Sequence, residues 1–233
     1  MRYSILQYNT DDFSHGSDYF AKVTANVDYA LLQRLPIKNE LSLIKEIHLE
    51  RSISGLPDSL YVGVARLSKK ASPFNSGVSY DLPSAKIVKK TNHKFQGSKA
   101  ICTGVDRIVL CSVLPCYPNA DNLSKENNSL IKRKDTLEDV RHLLNKLKHT
   151  KCIIAGDFHH RPGDFKQLDD LIKDYGFTSY LDGHVTFVHQ DGYKFNLDRM
   201  ISNIPGLTVD NIKVHQPDTP DRHLAITYEV QYS

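Results

Sequence analysis

Short, largely apolar runs recur along the whole chain and read as strands buried in a sheet. They are Tyr3–Gln7, Leu60–Arg66, Ile108–Val113, Lys151–Ala155, Met200–Ser202 and Ala225–Val230. Asp28–Gln33 is a further candidate strand, following a helical stretch. Long connections separate these runs, and two of them carry helical spacing. Lys134–Lys148 sets Leu137, Val140, Leu143, Leu144 and Leu147 on one face, and Asp164–Tyr175 does the same with Phe165, Leu168, Leu171 and Ile172. Ser72–Val78 and Asn119–Ser129 are rich in Asn, Ser and Gly and read as loops. Buried strands alternating with helix-bearing connections predict α/β layering rather than an all-β sandwich.

A chain of 233 residues suits one domain with a two-sheet core, or two smaller domains. Its 40% hydrophobic and 24% charged residues are ordinary for a globular protein. A net charge of +3 permits a polyanionic partner without requiring one. No apolar run is long enough to span a bilayer, so no membrane partner is expected. The first residues, MRYSILQYNT, hold one basic residue and no long apolar stretch, so a cytoplasmic protein without a secretory signal is expected. Nothing in the sequence calls for a protein partner or an oligomer. Cys102, Cys111, Cys116 and Cys152 form no CxxC pair and no zinc-ligand spacing. They read as buried, reduced thiols.

Chemistry-bearing residues gather where the strands end, which is where α/β proteins place function. In the segment Cys-Ile-Ile-Ala-Gly-Asp157-Phe-His159-His160 an apolar strand runs into a glycine and then an aspartate. A lone Gly-Asp more often caps a turn. Three other segments shift the balance: Asn9 and Asp11 end the first strand, Asp198 opens a strand, and His223 leads the last one, after Asp221 and Arg222. An amide, carboxylates and an imidazole at strand ends form a set that phosphodiester cleavage needs. A base activates water, a cation or donor neutralises the phosphorane oxygens, and a further group stabilises the leaving oxygen.

In this order the segments resemble the endonuclease/exonuclease/phosphatase family, which includes DNase I and the abasic-site endonucleases. "ILQYNTD" resembles the family's first strand with its metal-site asparagine, here Asn9. "VDYALLQR" is similar to its D-I-x-x-L-Q-E strand, "YVGVARLSKK" to G-V-A-I-L-S-K, and "IVLCSVLP" to the strand carrying an active-site histidine or tyrosine. "IIAGDFH" is similar to G-D-F-N, "NLDRMISN" to L-D-Y-I, and "DRHLAITYEV" to S-D-H-x-P-V. The resemblance covers nearly all of residues 1–230 and treats residues 1–233 as one domain. It implies a four-layered α/β sandwich, two facing mixed β-sheets flanked by helices. It also implies a metal-dependent phosphodiesterase, most simply a nuclease acting on DNA or RNA with Mg2+ or Mn2+. Asp157, His159, Asp198 and His223 are the implied catalytic residues. Asn9, Arg34 and Arg222 are the implied substrate contacts, and Asn9, Asp11 and Asp221 the implied metal contacts.

The departures from the pattern are specific. Arg34 stands where the metal-binding glutamate should follow Gln33, His159 replaces the asparagine of G-D-F-N, and Val113 holds the histidine or tyrosine position. Arg222 replaces the aspartate before His223, with Asp221 one residue earlier. A cation at Arg34 opposes a divalent ion beside it. It can instead pair with Asp157 or Asp198, or fork onto a phosphate. Two further readings therefore stand beside the nuclease: a binding module for nucleic acid or protein that has lost the metal chemistry, and a phosphatase of small phosphorylated substrates. Lys86–Lys94 and Lys132–Lys134 are basic clusters able to follow a phosphate backbone or to serve as solvated faces. Tyr117 can stack on a base or simply pack. His142, His149, His184, His189 and His215 read as ordinary polar residues, and His160 shares a strand end with His159.

Overall fold

The computed structural model describes residues 1–10, 16–36, 45–51, 60–83, 95–96, 99–115, 117–118, 125–160, 163, 165–189, 191–216 and 222–233. The apolar runs become the central strands of two six-stranded sheets. In the first, β1 (Arg2–Asn9) lies between β2 (Tyr29–Pro36), which runs parallel to it, and β17 (Ala225–Gln231), which runs antiparallel. The sheet is completed by β3 (Glu46–Arg51), β4 (Leu60–Arg66) and β15 (Thr208–His215), in the order β15-β17-β1-β2-β4-β3.

The second sheet pairs β10 (Cys152–Asp157) parallel to β8 (Ile108–Leu114) and antiparallel to β14 (Asp198–Ser202). With β5 (Ser76–Asp81), β7 (Lys99–Val105) and β11 (Thr178–Ser179) its order is β11-β14-β10-β8-β7-β5. Both sheets are mixed. Two small sheets are added, β13-β12-β16 from Lys194–Phe195, Phe187–Val188 and Arg222–His223, and β6-β9 from Phe95–Gln96 and Tyr117–Pro118.

Strand alternation sorts the side chains into layers. Tyr3 and Ile5 of β1, Tyr29 and Leu31 of β2, Ile153 and Ala155 of β10, and Met200 of β14 meet between the sheets. The alternate residues Leu6, Tyr8, Ala30 and Leu32 face outward onto Phe20 and Val23 of α1 (Gly16–Thr24). On the far side, Cys102, Cys111, Cys152, Ile154 and Ile201 pack under α2 (Lys125–Leu147) and α3 (Lys166–Asp174). The helices supply the apolar faces that their spacing predicts, Val140, Leu143, Leu144 and Leu147 from α2 and Leu168, Leu171 and Ile172 from α3. The layers run helix, sheet, sheet, helices, so the expected four-layered sandwich is the fold.

Two expected loops are shorter than their composition suggests. Ser76, Gly77 and Val78 begin β5, a largely exposed edge strand, and an edge facing water has no need of an apolar run. Lys125–Ser129 opens α2; residues 119–124 and the basic cluster Lys86–Lys94 lie outside the described residues. Cys102, Cys111 and Cys152 are free and buried, as expected, and Cys116 lies outside the described residues. Among the described residues no helix is long and apolar enough to cross a membrane.

Candidate active site

The parity that builds the core also builds the site. On β10, Ile153 and Ala155 face the opposite sheet, so Asp157 at the strand's end faces the same way. On β1, Asn9 follows Ile5 and Gln7 on the inward face and meets it. Asp157 is 1% exposed, and its Oδ2 accepts a hydrogen bond from Asn9 Nδ2 at 3.1 Å. Antiparallel pairing puts Asp198 directly opposite Asp157, so both carboxylates share one face of the sheet. His223 lies between them. Its Nδ1 is 2.9 Å from Asp198 Oδ2, and its Nε2 is 3.4 Å from Asp157 Oδ2. The result is a buried carboxylate–imidazole–carboxylate chain assembled from β10, β14 and β16.

Neighbouring groups fix each member. The Thr186 hydroxyl accepts the amide protons of Leu197 and Asp198, at 2.8 and 2.9 Å, and so anchors the start of β14. The ring of Phe187, paired with His223 across β12 and β16, meets the imidazole edge-on at 4.9 Å between centroids. Beneath the site, Gln7 Nε2 donates to the Arg199 carbonyl at 3.1 Å, and Gln33 Nε2 to Ser112 Oγ at 2.8 Å. These amides join the two sheets where their apolar core ends. Gly156 leaves room for β8, since a Cβ there would lie 1.9 Å from the Val113 carbonyl oxygen.

His159 is bound to Asp157 twice, its main-chain N–H donating to Oδ1 at 2.9 Å and its ring Nδ1 lying 3.0 Å from the same oxygen. Its φ is +56°, in the left-handed region uncommon for a residue with a side chain. Burial alone would raise the Asp157 carboxyl pKa. The charges of His159 and His223 and the hydrogen bonds from His159 outweigh burial and hold it well below the usual carboxylate range. Asp198 moves the other way: burial and the charge of Asp157 raise it, against the pull of His223. Two carboxylates with opposed shifts are suited to unlike roles, one a fixed negative charge and hydrogen-bond acceptor, the other orienting the imidazole.

Asp157, Asp198 and His223 each offer a ligand atom, all within 4.8 Å of one another, a group that can hold a metal ion. Asp198 Oδ1 is buried and has no hydrogen-bond partner among the described residues, an acceptor that a cation would satisfy. The residues present therefore fit a metal.

The structure thus brings together Asn9, Asp157, His159, Asp198 and His223. Arg34 is half-buried at the same rim, one residue past Gln33, the partner of Asn9 in the parallel pair. Its φ of +54° marks a bulge in β2, where the register shifts between Leu32 and Leu35, and its carbonyl accepts the Thr10 hydroxyl at 2.8 Å. Arg222 pairs with Val188 through β16, and its side chain is not among the parts described; Asp11 and Asp221 lie outside the described residues.

Val113 requires a correction. It packs in the helix-side core, while its neighbours Ser112 and Leu114 face the other sheet, so strand parity excludes it from the position of a site histidine or tyrosine. Sequence reasoning also passed over Gln7, Gln33, Thr186 and the buried Arg199. The two glutamines were detectable as polar residues at inward positions of apolar strands. Thr186 carries no local signal.

No protein-family model matches the sequence, and no curated protein matches it. Solved structures do. A 3′ phosphatase, NExo, from Neisseria, bound to product DNA hairpin, aligns over 99% of this chain and 100% of its own with a TM-score of 0.68 and 15% identity. TDP2 of D. rerio, complexed with single strand DNA product, aligns over 99% of both chains with a TM-score of 0.67 and 14% identity. The catalytic domain of human Nocturnin, with bound sulfate anion, aligns over 100% of this chain and 94% of its own at 0.68 and 12% identity. Facing mixed sheets, flanking helices and end-to-end alignment lead to one conclusion: the chain has the DNase I-like fold of the endonuclease/exonuclease/phosphatase family.

Proposed function

We propose that this protein is a phosphodiesterase of the nuclease type, acting on DNA or RNA at the Asp157–His223–Asp198 centre. The carrying observation is the buried chain of contacts from Asp198 through His223 to Asp157. Asp198 accepting from Nδ1 fixes the tautomer of His223 and leaves Nε2 directed at Asp157 and the place of a scissile phosphate. Asp157, held ionised, orients an attacking water as a hydrogen-bond acceptor. Asn9 orients Asp157, while His159, Arg34 and Arg222 are the proposed contacts of the phosphate oxygens. Asp157, Asp198 and His223 would hold Mg2+ or Mn2+, with Asn9, Asp11 and Asp221 as further candidate contacts, and the ion would neutralise charge on the phosphorane. NExo bound to product DNA hairpin and TDP2 with single strand DNA product support nucleic acid as the substrate class.

The test is a panel of supercoiled, linear and single-stranded DNA, RNA and a generic phosphodiester, each with Mg2+, Mn2+ or chelator. Cleavage of a nucleic acid, abolished by chelator and by His223→Ala, supports the reading. Turnover of the generic diester alone would place the substrate among small phosphoesters. Tight nucleic-acid binding without cleavage under any metal would overturn the enzyme reading in favour of a binding module, the alternative suggested by Arg34.

A further inference from the structure

Arg199 follows Asp198 on β14, so its side chain leaves the sheet on the face away from the carboxylates. It is 1% exposed, and a guanidinium so buried needs its donors occupied. Nη1 pairs with Asp169 Oδ1 at 2.5 Å, and Nε and Nη2 donate to the His160 carbonyl at 3.1 and 3.0 Å. Asp169 Oδ2 in turn accepts the Gly163 amide proton at 2.8 Å. The pair therefore grips the connection from β10 to α3 at two points, His160 and Gly163.

His159 lies between Asp157 and the first of these points. Its left-handed backbone is a conformation that persists where the surroundings over-determine it. Here the surroundings are Asp157 on one side and the Arg199 fork on the other. We propose that Arg199 is a positioning residue for the site: by holding the His160 carbonyl it keeps the His159 imidazole and amide on Asp157, without itself touching substrate. The role deepens the proposed phosphodiesterase reading and rests on it for its catalytic consequence. The geometry calls for a planar fork, because one group serves a carboxylate and a carbonyl at once, and a lysine ammonium cannot match that arrangement.

Arg199→Lys and Asp169→Asn test the proposal, the second remaining informative if the first fails to fold. The first readout is the NMR signals of the His159 ring, assigned by their loss in His159→Ala. The second is single-turnover cleavage with KM measured separately. The expected result is displaced or broadened His159 signals in a cooperatively melting variant. Turnover should fall roughly 10- to 100-fold with KM nearly unchanged. In the His159→Ala background, Arg199→Lys should have almost no further effect, since both act on one element. Unchanged His159 signals in the folded variants would overturn the proposal, as would an undiminished turnover loss in that background. If the wild-type protein cleaves no phosphodiester, the ring signals alone decide the positioning role, and the missing activity counts against the site's reading instead.

Discussion

His160 shows how a residue beside the site responds to it. Burial lowers its pKa to about 4, assisted by the positive charges of His159, Arg133 and Arg199 and opposed by Asp157. In an unfolded chain a histidine titrates near 6.5. The folded form therefore favours neutral His160, and the stability this contributes is fully present above about pH 6.5 and lost as pH falls toward about 4. Urea midpoints measured across that window should fall less steeply for His160→Gln than for wild type; parallel curves would mean that His160 titrates freely in the folded protein. Single residues were also where the sequence was most informative about chemistry. Asn9, Asp157, Asp198 and His223 were legible because each stands where an apolar run starts or stops. The roles of Arg199 and Thr186 were not, because a side chain that crosses to a distant segment leaves no spacing in the sequence.

Strands impose a finer constraint than their composition reveals. β8 and β10 run parallel and approach so closely at Gly156 that a methyl group would meet the Val113 carbonyl at 1.9 Å and the Val113 side chain at 2.8 Å. Backbone cannot yield as a flexible side chain does. Gly156→Ala should therefore cost at least the upper end of the roughly 1–3 kcal/mol typical of overpacking, and displace Asp157, the next residue. Gly104 on β7 is the contrast, since its nearest neighbour to an added Cβ would be Ser76 Oγ at 3.3 Å. Gly104→Ala should change stability by less than about 1 kcal/mol. Thermal denaturation of the two variants checks both, and equal stabilities would show that β8 and β10 are less tightly apposed. The central strands were legible from their apolar runs, yet β5 was hidden because an exposed edge is polar. Parity was also needed to show that Val113 faces the helices, since an apolar run alone does not say which residue faces which layer.

The whole fold was legible because seven segments in order resemble the motifs of one family, whereas the metal and substrate depend on rim segments whose composition does not determine their geometry. A metal held by the folded site alone would raise the stability of the entire molecule. At about 100 times its Kd, Mn2+ would add about 2.7 kcal/mol, visible as a higher melting temperature. Asp198→Asn should abolish that increase, and an undiminished shift in the variant would place the ion elsewhere. In the proposed function His223, held by Asp198 and facing Asp157, acts on a scissile phosphodiester. The most direct measurement compares turnover and nucleic-acid affinity for wild type, His223→Ala and Asp157→Asn under the metal that supports cleavage. Turnover should be lower by about 10²–10⁴-fold in both variants with affinity little changed; wild-type turnover in both would contradict this role of His223.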